Sequence, residues 1–261
     1  IYPAQIREFA SHSWLETADI PVSIASASTN FRADIPDWRE ALSWIKYSTP
    51  PFQSNGTPTV FAAWWDYGYW ISVMGNRTSL ADNATLSTIR IAKLGRMFMS
   101  EEKESIEILN DLKANYVVIY VVGQTFTVAE SGQRLYILGS SGDESKKQWF
   151  IKIGGLDEGL YLENDGFTPK PYFWENSLLG KMMPFSFVSF AEFSQQGLQF
   201  SNSTEYESGL RSIYTYDMKY PADGPGPLRL AFMSSSLAEP RDGLFSAVIV
   251  YEIVDSQPEE P

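Results

Sequence analysis

Trp64-Trp65-Asp66-Tyr67-Gly68-Tyr69-Trp70-Ile71 is the stretch with the most chemistry in it. An indole N–H only donates a hydrogen bond and an ionised Asp only accepts. Trp64, Trp65 and Asp66 can therefore serve both the lone pairs and the proton of one hydroxyl group, while the ring faces enclose a small dry space. Such a pocket suits a Thr or Ser side chain. Buried aromatics also pack cores, and a buried Trp usually finds a partner for its N–H in that role too.

The second stretch is Asp143–Ile153, DESKKQWFIKI. Its periodicity predicts an amphipathic helix with Trp149, Phe150 and Ile153 inside and Lys146, Lys147 and Lys152 outside. Two other chemistries fit the same letters. Aromatic rings with acids suit a carbohydrate-binding or cell-surface module. A carboxylate pair, Asp66 with Asp82 or Asp143, would suit a hydrolase if the two groups lay about 5–10 Å apart.

The elements that must position these residues are legible in outline. Pro36 opens a helix at a favoured first-turn position, with Trp38, Ala41, Leu42 and Ile45 on one face and Pro50-Pro51 ending it. Thr59–Trp65 reads as a buried strand. Asp66 is placed to cap a helix over Tyr67–Met74. A polar loop over 76–85 leads to a helix carrying Leu86, Ile89, Lys93 and Met97. Ser100 is placed to cap an acidic helix, Glu101–Lys113, that buries Ile106, Leu109 and Leu112. Tyr116–Val122 is a second buried strand and Gln133–Leu138 a third strand or hairpin. Asn164–Tyr172 reads as a loop and Asn176–Met183 as a short helix. Beyond 200 the chain turns to strands at Ser212–Tyr220, Leu228–Met233 and Phe245–Val254. The expected class is α+β: a mixed helical core with a short sheet, then a β-rich C-terminal portion. The expected divisions are a lead-in over 1–35, a core over 36–200, a β-rich portion over 201–254 and a polar tail over 255–261.

Composition narrows the function. The 261 residues include 32 acidic and 20 basic side chains, a formal charge of -12. That argues against nucleic acid, which needs a basic face, and against a basic patch on an anionic membrane. There is no Cys and one His, His12, so neither a thiolate nucleophile nor a Cys/His zinc site is expected. No run of 18 apolar residues spans a bilayer. The start at Ile1, with no signal-peptide pattern, reads as a piece of something longer.

The eight-residue stretch resembles the WWDYG signature of the catalytic subunit of oligosaccharyltransferase, the membrane enzyme of asparagine-linked glycosylation. Gly75-Asn76-Arg77-Thr78, Ala81-Asp82-Asn83-Ala84-Thr85, Ile91-Ala92, Gly95 and the acidic helix leading into Tyr116-Val117-Val118-Ile119 keep the order found in eukaryotic and many archaeal members. The resemblance covers most of 36–190. Asp143 and Lys146 resemble the first two positions of the family's DK motif, and Phe150 departs from the Met or Ile at its third; the shifted register Glu144, Lys147 and Ile151 restores Ile but loses the Asp. On a helix the motif's positions one, four and eight share a face, so the resemblance implies that the three residues lean on one pocket. The resemblance implies an extracytoplasmic domain of a membrane protein, at the cell exterior in archaea or in the endoplasmic reticulum lumen in eukaryotes; the absence of Cys and the brevity point to an archaeal source. Trp64, Trp65 and Asp66 would hold the +2 Ser or Thr of an Asn-Xaa-Ser/Thr acceptor, and Asp143, Lys146 and Phe150 would line the pocket. It implies no catalytic residue and no metal ligand in this chain. A divalent metal, Mn or Mg, and the lipid-linked oligosaccharide would be held by a preceding membrane region. Acceptor polypeptides are the implied partners. Of the sequons at Asn55, Asn76, Asn83 and Asn202, Asn83 is the implied glycosylation position.

Overall fold

Pro36 starts a helix as expected. A computed structural model describes residues 36–254 apart from 130, 140, 195–196, 204 and 208, so the expected lead-in over 1–35 and tail over 255–261 lie outside the described residues. Helix α1, Pro36–Ser48, buries Trp38, Ala41, Leu42 and Ile45. Its C-terminal carbonyls are clamped by the buried Arg77 guanidinium, which donates to Lys46 O (2.8 Å), Thr49 O and Thr49 Oγ1 (3.0 Å). A cation at a helix C-terminus meets the negative end of its dipole.

Strand β1, Val60–Ala62, is shorter than the predicted Thr59–Trp65. It pairs in parallel with β2, Thr78–Ser79, and with β3, Tyr116–Thr127. Two helices lie between those strands: α2, Thr88–Met99, and α3, Glu102–Asp111. The predicted start of α2 was too early. Ser87 caps it by accepting from Arg90 N, and Leu86 and Ile89 are left exposed. Ser100 does not cap α3 with its side chain. It ends α2, and its carbonyl accepts from Leu178 N (2.9 Å). Leu109 of α3 is buried, and Ile106 and Leu112 pack half-buried against the core.

Strand β4, Arg134–Leu138, is followed by a 3-10 turn over Asp143–Lys146 and helix α4, Lys147–Gly154. Short helices α5 (Glu158–Tyr161), α6 (Pro171–Asn176) and α7 (Leu178–Met182) lead to β5 (Phe185–Ser194), β6 (Gly197–Phe200), β7 (Arg211–Tyr216) and β8 (Leu228–Met233). Helix α8, Ser235–Ala238, precedes β9, Gly243–Ile253. The class is α+β; among the described residues nine strands form one mixed sheet of order β2-β1-β3-β4-β7-β5-β6, while β9 pairs β3 and β8. The strands of 201–254 thus belong to the same sheet as those of the core. Among the described residues, no helix is long and apolar enough to cross a membrane.

Strand β3 is the spine. On one side β9 pairs it antiparallel from Tyr116 to Thr125. On the other side β1 pairs with Tyr116 and Val117 only, and β4 joins at Gly123. Between those two neighbours β3 has an open edge over 118–122. Buried backbone groups must be satisfied: Asp143 of the 3-10 turn accepts from Tyr120 N, and Gly139 N donates to Val122 O (3.1 Å). Gly142 presses so close that an added Cβ would stand 2.7 Å from Val122 N and 2.8 Å from Tyr120 O. The split in the sheet is where the two chemistry-bearing stretches meet.

Candidate functional site

The chain leaves β1 at Ala62 and turns directly into the tryptophans. Asp66 does not cap a regular helix over 67–74. It lies inside a 3-10 turn, Trp65–Tyr67, and a π-helical turn follows over Trp70–Met74. The reason is contact at Gly68. A Cβ there would lie 2.0 Å from Ala81 O and 2.5 Å from Asp82 Cα, so the loop after β2 lies against this backbone. Gly68→Ala is therefore expected to lower stability by about 1–3 kcal/mol, the usual range for overpacking, read as a fall in the thermal midpoint.

Trp64 is buried, Trp65 and Asp66 are half-buried, and Phe150 is buried. Phe150 reaches the site from α4, its ring 4.5 Å from that of Trp64 and stacked 5.1 Å from Phe98 of α2. Trp65 lies 6.3 Å from Trp64, ring to ring. Lys146 Nζ donates to Asp66 Oδ2 (2.5 Å) and to Tyr67 Oη (2.6 Å) and stands 3.6 Å from Asp143 Oδ1. Tyr67 donates in turn to Asp143 Oδ1 (2.9 Å), and Asp143 Oδ2 accepts from Tyr120 N at the open edge of β3 (2.8 Å). A polar chain thus runs from Asp66 through Lys146, Tyr67 and Asp143 to the spine of the sheet. Asp66 Oδ1 is buried and has no hydrogen-bond partner among the described residues.

All six residues read from sequence as candidates stand at this one place. The reason given for their meeting was partly wrong. Residues 143–146 form a 3-10 turn rather than the first turn of an α-helix. The predicted faces of the segment are corrected too. Trp149 and Ile153 point outward, whereas Lys147 is fully buried with Phe150 and Ile151. Lys147 Nζ donates to Glu144 Oε1 (2.8 Å) and Glu144 O (3.0 Å) and lies 4.2 Å from the Phe167 ring centre.

Two residues were missed. Tyr67 is the link between Lys146 and Asp143, and the signal for it was a phenol inside an otherwise apolar run. Trp38 supports Tyr67 from below at 4.7 Å. It is held there by α1, whose Asp37 Oδ2 accepts from Ser236 (3.0 Å) and Ser246 (2.9 Å).

Burial raises the Asp143 carboxyl from its ordinary value to about 6, against the pull of Lys146. Burial and the two nearby carboxylates raise the Tyr67 phenol well above its ordinary value. Between about pH 4 and pH 6 the folded protein then holds a proton on Asp143 that the unfolded chain has released. Asp143 contributes stability below its unfolded pKa, and that contribution is lost as pH rises through about 6. The Asp143 carboxyl carbon is expected to titrate near 6 by NMR, and Asp143→Asn to remove this decline from the stability profile.

Of the carboxylate pairs, Asp66 and Asp143 face one ammonium, Lys146. Asp82 Oδ1 accepts from Ala84 N in its own turn. Asn83 is half-buried, while Asn55, Asn76 and Asn202 are exposed. Among the described residues, no group of three or more His, Cys, Asp or Glu is placed to hold a metal ion.

The chain is similar to subunits of dolichyl-diphosphooligosaccharide–protein glycosyltransferases. It is 35% identical over 150 residues to dolichyl-diphosphooligosaccharide–protein glycosyltransferase subunit STT3B of Oryza sativa subsp. japonica, covering 53% of this chain and 18% of that one. It is 29% identical over 228 residues to subunit STT3 of Dictyostelium discoideum, covering 81% of this chain and 29% of that one. The chain is homologous to these subunits and spans less than a third of their length. Among solved structures, the C-terminal globular domain of an oligosaccharyltransferase from Archaeoglobus fulgidus aligns at a TM-score of 0.37 and 19% identity, covering 71% of this chain and 99% of that one. No protein-family model matches the chain.

Proposed function

We propose that this chain is the acceptor-reading extracytoplasmic portion of an oligosaccharyltransferase, and that Trp64, Trp65 and Asp66 take the side-chain hydroxyl of the Ser or Thr two residues after the acceptor asparagine. The observation that carries this reading is the free Asp66 Oδ1. Lys146 occupies Oδ2 and fixes the carboxylate, so one buried acceptor remains to be met from outside. An unmet buried acceptor costs about 1–3 kcal/mol, which a hydroxyl proton offsets and an Ala or Val side chain does not. A site built to bond a hydroxyl rejects the analogue lacking one for that reason. Phe150 and the indole rings supply the dry wall. Burying the extra methyl of Thr there favours it over Ser by about 0.8 kcal/mol.

The whole enzyme transfers an oligosaccharide from a polyprenol carrier to the asparagine nitrogen. In this reading the lipid-linked oligosaccharide and a divalent metal, Mn or Mg, belong to its membrane region, and the metal supplies Lewis-acid stabilisation of the leaving phosphate. The residues of this chain bind and orient the acceptor, and the isolated domain does not turn over substrate.

Photocrosslinking tests the assignment. A peptide with a photoreactive group beside its +2 Thr is expected to label residues near Trp64–Asp66, and replacing that Thr by Ala is expected to abolish the labelling. Labelling elsewhere, or labelling indifferent to Thr, in the full-length enzyme would overturn it.

A further inference from the structure

We infer that the cavity floored by Glu144 is a second binding site, for a neutral saccharide. The site goes beyond the acceptor-binding reading and uses none of the residues of the Asp66 pocket. It has a volume of about 300 Å³, and Phe167, Tyr206 and Tyr214 are among its walls, with Glu144, Asp165 and Arg211 as polar lining. A larger cleft of about 960 Å³ adjoins it and shares Pro169, Tyr206 and Ser212 with it. Each falls in the range of ligand sites, and together they offer room for more than one sugar ring.

Glu144 is 5% exposed, and its Oε2 has no hydrogen-bond partner among the described residues. Its other oxygen is held by Lys147. The ligand must therefore bring a proton donor to a buried carboxylate oxygen. The charge balance says which donor. Lys147 offsets Glu144, and the lining carries one further acid, Asp165, and one base, Arg211, so the formal charges of this cavity sum to zero. Asp165 is also supplied internally, accepting from Phe167 N (2.9 Å), Thr168 N (2.8 Å) and Thr168 Oγ1 (2.6 Å). In this cavity a cation gains no net field; the adjoining cleft, where Glu102, Glu163, Glu175 and Glu205 outnumber Lys181 and Lys219, makes a cation the alternative that the lysine methyl ester comparison below tests. An anion would meet the free oxygen of Glu144 and, in the adjoining cleft, Glu163, Glu175 and Glu205. A hydroxyl brings the proton without bringing a charge.

The aromatic lining completes the match. A pyranose ring has an apolar face of C–H groups beside its hydroxyl edge. Tyr206 is common to both cavities, and Trp174 and Phe187 continue the aromatic lining in the larger one. Rings of this kind give large contact area at low entropic cost. A saccharide laid on Tyr206 would place hydroxyls toward Glu144 and a second ring toward Trp174.

The test is an NMR titration of the full chain with maltotriose, mannotriose and chitotriose, with glucuronate and lysine methyl ester as charged comparisons. At least one neutral trisaccharide is expected to shift the amides of Glu144, Phe167, Tyr206 and Ser212, with Kd in the millimolar range. The amides of Trp64–Asp66 are expected to stay in place. Tyr206→Ala is expected to weaken binding about tenfold, equivalent to about 1.4 kcal/mol, and Glu144→Gln to weaken it as well. Tyr206 is half-buried at the wall, so its variant reports on binding even if the Glu144 variant fails to fold. No shift at these amides, tighter binding of either charged comparison, or undiminished binding by Tyr206→Ala would overturn the proposal. Shifts confined to Trp64–Asp66 would count against this site and leave the acceptor reading standing.

Discussion

Asp66→Ala, introduced into the full-length enzyme, is expected to lower kcat/KM for an Asn-Xaa-Thr peptide about a hundredfold, and to leave the residual activity on Asn-Xaa-Ala nearly unchanged. The size follows from two losses. A hydrogen bond to a charged group is worth about 1.5–3 kcal/mol, which is roughly 10–150-fold. The hydroxyl contact also fixes where the asparagine stands relative to the sugar, and misplacement by about 1 Å can itself cost about a hundredfold. Asp66→Asn keeps an oxygen acceptor but weakens the hold of Lys146, and is expected to fall between wild type and Ala. The comparison of Thr with Ala peptides is the decisive part. A variant that merely loosens the fold would depress both substrates by the same factor, whereas loss of a hydroxyl clamp collapses the ratio between them. Equal depression of both would sink the assignment even if the total activity fell steeply.

The second large effect concerns Lys147. This side chain is fully buried and neutralises Glu144 three residues earlier. Removing one partner of a buried pair leaves the other as an uncompensated charge, at a cost of about 3–5 kcal/mol. Lys147→Met is expected to destabilise the chain by that amount, read as a lower denaturant midpoint at unchanged slope. Replacing both, as Lys147→Met with Glu144→Gln, is expected to recover most of the loss, because no buried charge then remains. If the double variant is no more stable than the single one, Lys147 contributes through its aliphatic stem and its ring contact with Phe167, not through its charge.

That lysine also shows where sequence reading stopped. A continuous α-helix from Asp143 puts Lys147 outside and Trp149 inside. Four residues of 3-10 turn advance at three residues per turn instead of 3.6, which rotates the following face by about 80°. The local letters carry no sign of the change, since its cause is the unpaired edge of β3 pulling Asp143 onto Tyr120 N. By contrast α1 was legible because Pro36, Trp38, Leu42 and Ile45 encode start and face within one segment. The Trp64–Asp66 corner was legible for its chemistry, but the helix predicted after it was not formed. Gly68 meets Ala81 and Asp82, thirteen and fourteen residues onward, and no period in the sequence reports such a contact. The coming together of Asp66 with Lys146 was predicted from a motif resemblance. The bond from Tyr67 to Asp143 was not, because a phenol among apolar neighbours reads equally as packing. The register of β9 on β3, more than a hundred residues apart, has no local signature at all.

That long-range pairing bears on how the protein is made. A ribosome delivers the chain from its N-terminus, and Tyr116–Thr125 emerges well before Gly243–Ile253, which forms one whole side of its pairing. Asp37, beneath the Trp38 ring that supports Tyr67, likewise waits for Ser236 and Ser246. Segments whose contacts are mostly non-local mature late and remain exposed in the meantime. The tryptophan corner is therefore translated early and completed last. A nascent chain stalled before β9 would present Trp64 and Trp65 on an unfinished scaffold, where molecular chaperones would be their first company.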